Sequence, residues 1–249
     1  MRGDVKVALR DFKGAITDYN EAIRLKPDFF DAYTGRGTAK MDLRDSQGAI
    51  TDYSEAIRLK PDFFDAYYSQ GWAKYRLQDF QGAITEWSKA ILLKLNDADS
   101  YNSRGAAKIG LRDFQGAITD YSEAIRLKPD LATAYYGRDL VKAELRDFKG
   151  AINDWNESIR FEPSNADTYY NRGIARYELK DLQGSITDCT EALRLKSDFA
   201  QAYLRRALSY NDLGDKQKAK MDLQKAAELF KQQGDIEKYN FVIKGIEQL

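Results

Sequence analysis

Small and large apolar residues alternate along this chain at offsets of four and three, and the alternation returns every 34 residues. Ala15, Ala49, Ala83, Ala117, Ala151, Ser185 and Ala219 form one column. Four residues on stand Tyr19, Tyr53, Trp87, Tyr121, Trp155, Cys189 and Leu223, and three further on Ala22, Ala56, Ala90, Ala124, Ser158, Ala192 and Ala226. Those offsets place all three on one stripe of an α-helix. The small residues let a second helix approach, and the large ones fill the space beside them. Four residues before each stripe stands an aspartate (Asp11, Asp45, Asp79, Asp113, Asp147, Asp181, Asp215), where an N-cap accepts bonds from the unpaired amides of the first turn. A capping box would carry Glu three residues later. Glycine takes that place from Gly14 to Gly184, so only the aspartate half is expected. The helix stops before Pro27, Pro61, Pro129 and Pro163. Leu95 and Ser197 replace the proline in two units, where a softer turn is expected.

A second helix is predicted to start at Phe30, Phe64, Ala98, Ala132, Ala166 and Ala200, each followed after three residues by a tyrosine and, four later, by Gly37, Gly71, Gly105 or Gly173. A glycine inside a helix costs about 1 kcal/mol relative to alanine, so its recurrence predicts a close helix crossing. Ala207 fills that column in the last full unit, and Asp139 breaks it, which predicts either a local widening of the stack or a buried acid paired with Lys142 or Arg138. The stretch QGAITDYSEAIRLKPD, Gln47 to Asp62, recurs letter for letter as Gln115 to Asp130. The repeating unit is therefore helix A, turn, helix B, turn. It gives one array of a partial unit over 1–29, full units over 30–63, 64–97, 98–131, 132–165, 166–199 and 200–233, and a terminal capping helix over 234–249. Ile236, Tyr239, Ile243 and Ile246 recur there at helical spacing. The register sets the opening MRG opposite Asn171, Arg172 and Gly173, so the first helix A lacks its opening turn; a chain cut from a longer protein and a natural start with a frayed first helix are both expected readings.

The pattern resembles the tetratricopeptide repeat, a 34-residue helix–turn–helix with aromatic, Gly, Ala, aromatic, Ala and Pro columns in this order. The resemblance covers essentially the whole chain. Two columns depart from it: Arg36, Gln70, Arg104, Arg138, Arg172 and Arg206 replace Leu, and Lys40, Lys74, Lys108, Lys142, Arg176 and Tyr210 stand in the place of Tyr. The resemblance implies an all-α solenoid coiled into a right-handed superhelix, with a concave groove lined by helix A that holds a peptide or helical segment of a partner protein. Carried over position by position, it assigns Tyr68, Trp72, Asn102, Tyr136, Leu140, Tyr170, Asn171, Ile174 and Arg205 to that groove. These columns vary between units while the packing columns repeat. Unselected drift explains that contrast as well as partner recognition does. Some relatives clamp two carboxylates; of the five positions that needs, only Asn171 and Arg205 match, with Tyr136, Leu140 and Gln201 at the others, so no clamp is expected.

Composition removes the other classes. The chain has no histidine and a single cysteine, Cys189. The commonest general base and zinc ligand are thus missing, and the thiol has no histidine to activate it. No enzyme, cofactor or metal site is expected. Lys and Arg total 39 and Asp and Glu 39, so no net field favours nucleic acid or an anionic membrane. The arginine column is expected to pair with the helix B acids Asp52, Glu86, Asp120, Asp154, Asp188 and Asp222. No apolar run approaches the roughly 20 residues of a membrane span, which makes a cytoplasmic chain the default. Two further readings stay open: a homo-oligomer built by end-to-end stacking, and the docking arm of a larger protein.

Overall fold

A computed structural model describes residues 2–247. Met1, Gln248 and Leu249, the outer ends of the partial unit and of the terminal helix, lie outside the described residues. Among the described residues there are fifteen helices and no strand. Helix A of successive units is α1 (Arg2–Ala8), α3 (Phe30–Asp42), α5 (Phe64–Arg76), α7 (Ala98–Gly110), α9 (Ala132–Glu144), α11 (Ala166–Glu178) and α13 (Ala200–Asp212). Helix B is α2 (Phe12–Leu25), α4 (Ser46–Leu59), α6 (Phe80–Leu93), α8 (Phe114–Leu127), α10 (Phe148–Phe161), α12 (Leu182–Leu195) and α14 (Lys216–Gln232); α15 (Ile236–Glu247) closes the chain. The helices gather into two compact units, Met1–Pro129 and Asp130–Leu249. No described helix is long and apolar enough to cross a membrane.

The seam between A and B is the same in every repeat. Arg44 adopts the left-handed conformation (φ 65°). Its amide reaches the carbonyl of Met41 at 3.0 Å, and the Asp45 amide reaches that of Lys40 at 2.9 Å. These are the two bonds that terminate a helix in a Schellman motif. Asp45 then caps the next helix, its side chain accepting from the Gly48 amide at 2.8 Å. One residue thus ends helix A and begins helix B, which leaves no slack in the connection. In six units glycine stands three residues after the cap, against the aspartate carboxyl, whereas the Lys218 backbone amide donates the same cap bond to Asp215 at 3.1 Å. The left-handed position is occupied by Arg10, Arg44, Gln78, Arg112, Arg146 and Lys180, and by glycine only at Gly214 and Gly234. A side chain in this conformation costs about 1 kcal/mol. Arg44→Gly and Gln78→Gly should therefore each stabilise the protein by about that much, read as a higher urea midpoint; unchanged midpoints in both would refute the account. The B-to-A turn keeps one geometry with or without proline: φ is −139° at Lys60 before Pro61 and −141° at Lys94, where Leu95 follows.

The glycine column makes room for a ring, not for a neighbouring backbone. A Cβ on Gly37 would come within 2.7 Å of the Tyr53 ring, and one on Gly71 within 2.5 Å of Trp87 Nε1. Gly173 faces Cys189 instead, and a Cβ there would still come within 3.2 Å of the sulfur; Ala207 packs in one cluster with Leu223. Asp139 is the buried acid of the two expected forms, but Arg138 and Lys142 pair with Asp154 and not with it. It is fully buried, and neither of its carboxyl oxygens nor the Trp155 indole nitrogen completes a hydrogen bond. Burial first, then the neighbouring Asp154, pushes its carboxyl up to about 9.

The arginine column behaves as charge balance required. Arg36 grips Asp52 through Nε (3.0 Å) and Nη2 (2.6 Å), and Lys40 reaches the same carboxylate at 2.8 Å. Arg104–Asp120, Arg138–Asp154, Arg172–Asp188 and Arg206–Asp222 repeat the grip. In the unit with Gln70, Lys74 pairs with Glu86 alone. The remaining nitrogen reaches back to the preceding repeat: Arg36 Nη1 donates to Asn20 Oδ1 at 2.7 Å, Arg104 to Ser88 at 3.1 Å, Arg172 to Asn156 at 2.8 Å and Arg206 to Thr190 at 3.0 Å. These four arginines thus fix both their own hairpin and the one before it. The basic columns are paired within the protein.

Candidate binding face and terminal pocket

The face of helix A left open by this packing carries the sequence-assigned residues in two groups. In the first unit α5 presents Tyr68 and Trp72, and α7 presents Asn102. The Tyr68 ring stacks on Phe64 at 5.8 Å, and its carbonyl accepts the Trp87 indole at 3.1 Å. Trp72 stays 37% exposed while its ring meets Trp87 edge-on at 5.4 Å and Tyr75 at 5.7 Å. Its orientation is thus set by a buried aromatic cluster, so it meets a ligand with little rotamer entropy left to lose. The Asn102 carbonyl oxygen is buried without a hydrogen-bond partner.

In the second unit α9 presents Tyr136 and Leu140, α11 presents Tyr170, Asn171 and Ile174, and α13 presents Arg205. Leu140 is 38% exposed, and the other five are half-buried. The Tyr170 ring packs 4.7 Å from Phe199, and burial raises its hydroxyl and that of Tyr136 above their ordinary range. The Arg205 guanidinium lies 4.8 Å over the Tyr177 ring, whose hydroxyl donates to Asp212 at 2.8 Å. Chemically the two groups offer apolar area and hydrogen-bond donors and acceptors. Among the described residues no cluster of His, Cys, Asp or Glu is arranged to hold a metal. Cys189 is fully buried, and burial pushes its thiol up to about 12, which keeps it from acting as a thiolate near neutrality.

The second unit also holds a pocket that the repeat columns do not reveal. Helix α14 runs 17 residues where its counterparts run 14. Its end copies the A-to-B seam, with Gly234 left-handed (φ 77°) and the Asp235 amide on the Phe230 carbonyl at 2.9 Å. The helix that follows is therefore swung onto α14, where Val242 is buried in the same cluster as Leu223 and Phe230. Between α13 and α15 this leaves an apolar cleft of about 470 Å³, lined by Leu204, Leu208, Leu223, Phe241, Val242 and Gly245 among others. The only sequence signal was the run Gln232, Gln233, Gly234, Asp235, which reads like Leu213, Gly214, Asp215 and stands where a proline stop belongs.

Tandem helix pairs capped and stacked in this way define a helical-repeat solenoid. Family models described as TPR repeat match residues 3–43 and 141–180, and models described as tetratricopeptide repeat match 34–103, 98–131 and 200–237. The chain belongs to the tetratricopeptide repeat family. No match was found among curated proteins. Solved structures of similar fold include a tetratricopeptide repeat protein from Parabacteroides merdae (16% identity, 97% of this chain and 95% of that one, TM-score 0.69). Another is YrrB, titled a TPR protein with an unusual peptide-binding site (17% identity, 74% and 95%, TM-score 0.63). A third is a chain of the APC/C hetero-tetramer Cut9–Hcn1 (18% identity, 85% and 42%, TM-score 0.64).

Proposed function

We propose that this protein is an interaction scaffold that binds a peptide or helical segment of a partner protein along the open face of its A helices. One contrast carries the reading. Helix B buries its large column residues Tyr19, Tyr53, Trp87, Tyr121 and Trp155, whereas helix A leaves Trp72 and Leu140 more than a third exposed beside half-buried Tyr68, Tyr136 and Tyr170. Exposed aromatic and aliphatic side chains held in place by neighbours are what interface anchors require. Asn102, Asn171 and Arg205 then supply bonds to a partner backbone or carboxylate. The unusual peptide-binding site described for YrrB is consistent with this reading.

The test compares partners captured by the parent protein with those captured by a variant carrying alanine at Tyr68, Trp72, Tyr136 and Tyr170. Binding should weaken at least tenfold while the circular dichroism spectrum stays helical. The same partners, retained at the same strength by the folded variant, would refute the assignment.

A further inference from the structure

Charge on the A helices of the first unit is unevenly spent. Every basic side chain of α3, α5 and α7 is bound to another part of the protein. Arg36 and Lys40 hold Asp52, Lys74 holds Glu86, Arg104 and Lys108 hold Asp120, and Arg76 donates to the Met41 carbonyl at 2.8 Å. The acids of the same helices, Asp31, Asp42, Asp65 and Asp99, are exposed. Their side chains make no ion pair or hydrogen bond among the described residues. Asp31, Asp65 and Asp99 hold one place, in the first turn of three successive A helices. An acid there favours its own helix, but the helix does not require it: α9 and α13 form with Thr133 and Gln201 in the same column.

Beside Asp65, α5 carries Phe64, Tyr68 and Trp72 at offsets of four, which sets three rings along one face. The Phe64 and Tyr68 rings lie 5.8 Å apart and nearly parallel, at 14°. The first ring already holds a cation, because Lys94 Nζ stands 4.9 Å over Phe64. That ammonium is kept above its ordinary range by its bond to Asp97 first, and the charges of Asp65 and Asp99 add to the effect. Lys26 and Lys60, at the same edge of the unit, are likewise seated on Phe29, Phe30 and Phe63. Tyr68 and Trp72 carry no cation among the described residues. Trp72, of the ring type that binds cations best, stays 37% exposed. One seat on α5 is filled from within the protein, and two of the same kind stand open next to it.

We propose that the open face of α3, α5 and α7 docks a basic segment of another protein, which lays a lysine or arginine on Trp72 and Tyr68. The inference rests on the scaffold reading and names the partner chemistry of the first unit. The unpaired Asp31, Asp65 and Asp99 draw the segment in and set its direction of approach. The rings take the apolar stem of the side chain together with its charge. The same acids repel nucleic acid and any acidic segment.

Selection from a random twelve-residue peptide display library on the immobilised full chain tests this. Enriched peptides are then measured against Tyr68→Ala/Trp72→Ala and against Asp31→Asn/Asp65→Asn/Asp99→Asn. The three acids make no bond within the fold, so amides in their place leave the helices intact, which the circular dichroism melting curve verifies. Peptides lost on the ring variant should carry Lys or Arg in excess over Asp and Glu. They should bind the triple-amide variant at least tenfold more weakly, and weaken further as sodium chloride rises from about 50 to about 500 mM. Neutral or acidic peptides lost on the ring variant, no enrichment at all, or equal binding to the triple-amide variant would overturn the proposal. So would a dimer that Trp72→Ala dissociates, since a second copy would then hold the face. Peptides lost on Tyr136→Ala/Tyr170→Ala but kept on the ring variant would sink this inference and leave the scaffold reading standing. Peptides kept by both alanine pairs would remove the two together.

Discussion

Asp139→Gly should raise the stability of the second unit by about 3 kcal/mol at pH 7. A carboxyl held neutral some three pH units above its ordinary value costs about 4 kcal/mol, at roughly 1.4 kcal/mol per unit. Restoring the column glycine returns part of that as lost helix propensity. The sign follows from linkage. The folded-state value, about 9, lies above the unfolded one, so the unfolded chain releases the proton first. Parent stability therefore falls as pH rises from about 4 to about 9, and the variant loses this slope. Lys142 favours the charged form, but it is tied to Asp154 at 2.7 Å, and Arg138 grips the same carboxylate; Tyr136 lies near enough for the charge to be felt in its own ionisation. Urea unfolding at pH 5, 7 and 8.5 measures the difference, which should widen with pH. Parallel curves for parent and variant would refute the assignment of a buried neutral acid.

The second large effect lies in the arginine ladder. Asp188→Ala leaves Arg172 and Arg176 facing each other in a buried site without their shared carboxylate. Removing one partner of a buried pair costs about 3–5 kcal/mol. The exposed pair Glu191–Arg194 on the same helix is the control, and Glu191→Ala should cost under about 1 kcal/mol. Replacing Arg172, Arg176 and Asp188 together by apolar residues should recover much of the loss, because no charge is then stranded. Equal effects of Asp188→Ala and Glu191→Ala on the thermal midpoint would show that the ladder contributes nothing beyond surface pairing.

Much of the fold could be read from the chain because each signal was local and recurred with the 34-residue period. The aspartate caps, the proline stops, the helix starts at Phe30 through Ala200 and the Arg–Asp pairs all follow from spacing. Three features escaped. The left-handed seam was hidden because Arg44, Gln78 and Lys180 occupy a conformation normally advertised by glycine. The glycine column was legible as close packing, but what it accommodates, the ring on the facing helix, depends on the tertiary pairing. The terminal cleft was missed because α14 outruns the period, so columns carried over from earlier repeats no longer describe where α15 lands. Of the candidate site, the columns gave Trp72 and Leu140 as open positions. They could not tell that Trp72 is braced by Trp87, or that Arg205 lacks an acid while Arg206 has one.

The Arg–Asp ladder also bears on how the chain finds its register. Arg36–Asp52 and Arg104–Asp120 are chemically the same joint, and they sit in repeats whose B helices share sixteen identical residues. A folding chain that set Arg36 on Asp120 would satisfy the same guanidinium–carboxylate bonds and loop out two repeats, although it could not close the seam at Arg44 and Asp45. The joint rewards pairing without recognising which repeat it has paired. Correct order must come from connectivity, since the tight seam at Arg44 and Asp45 lets each hairpin close before a distant helix can compete. In kinetic terms the seam acts as the proofreader for a ladder that cannot count.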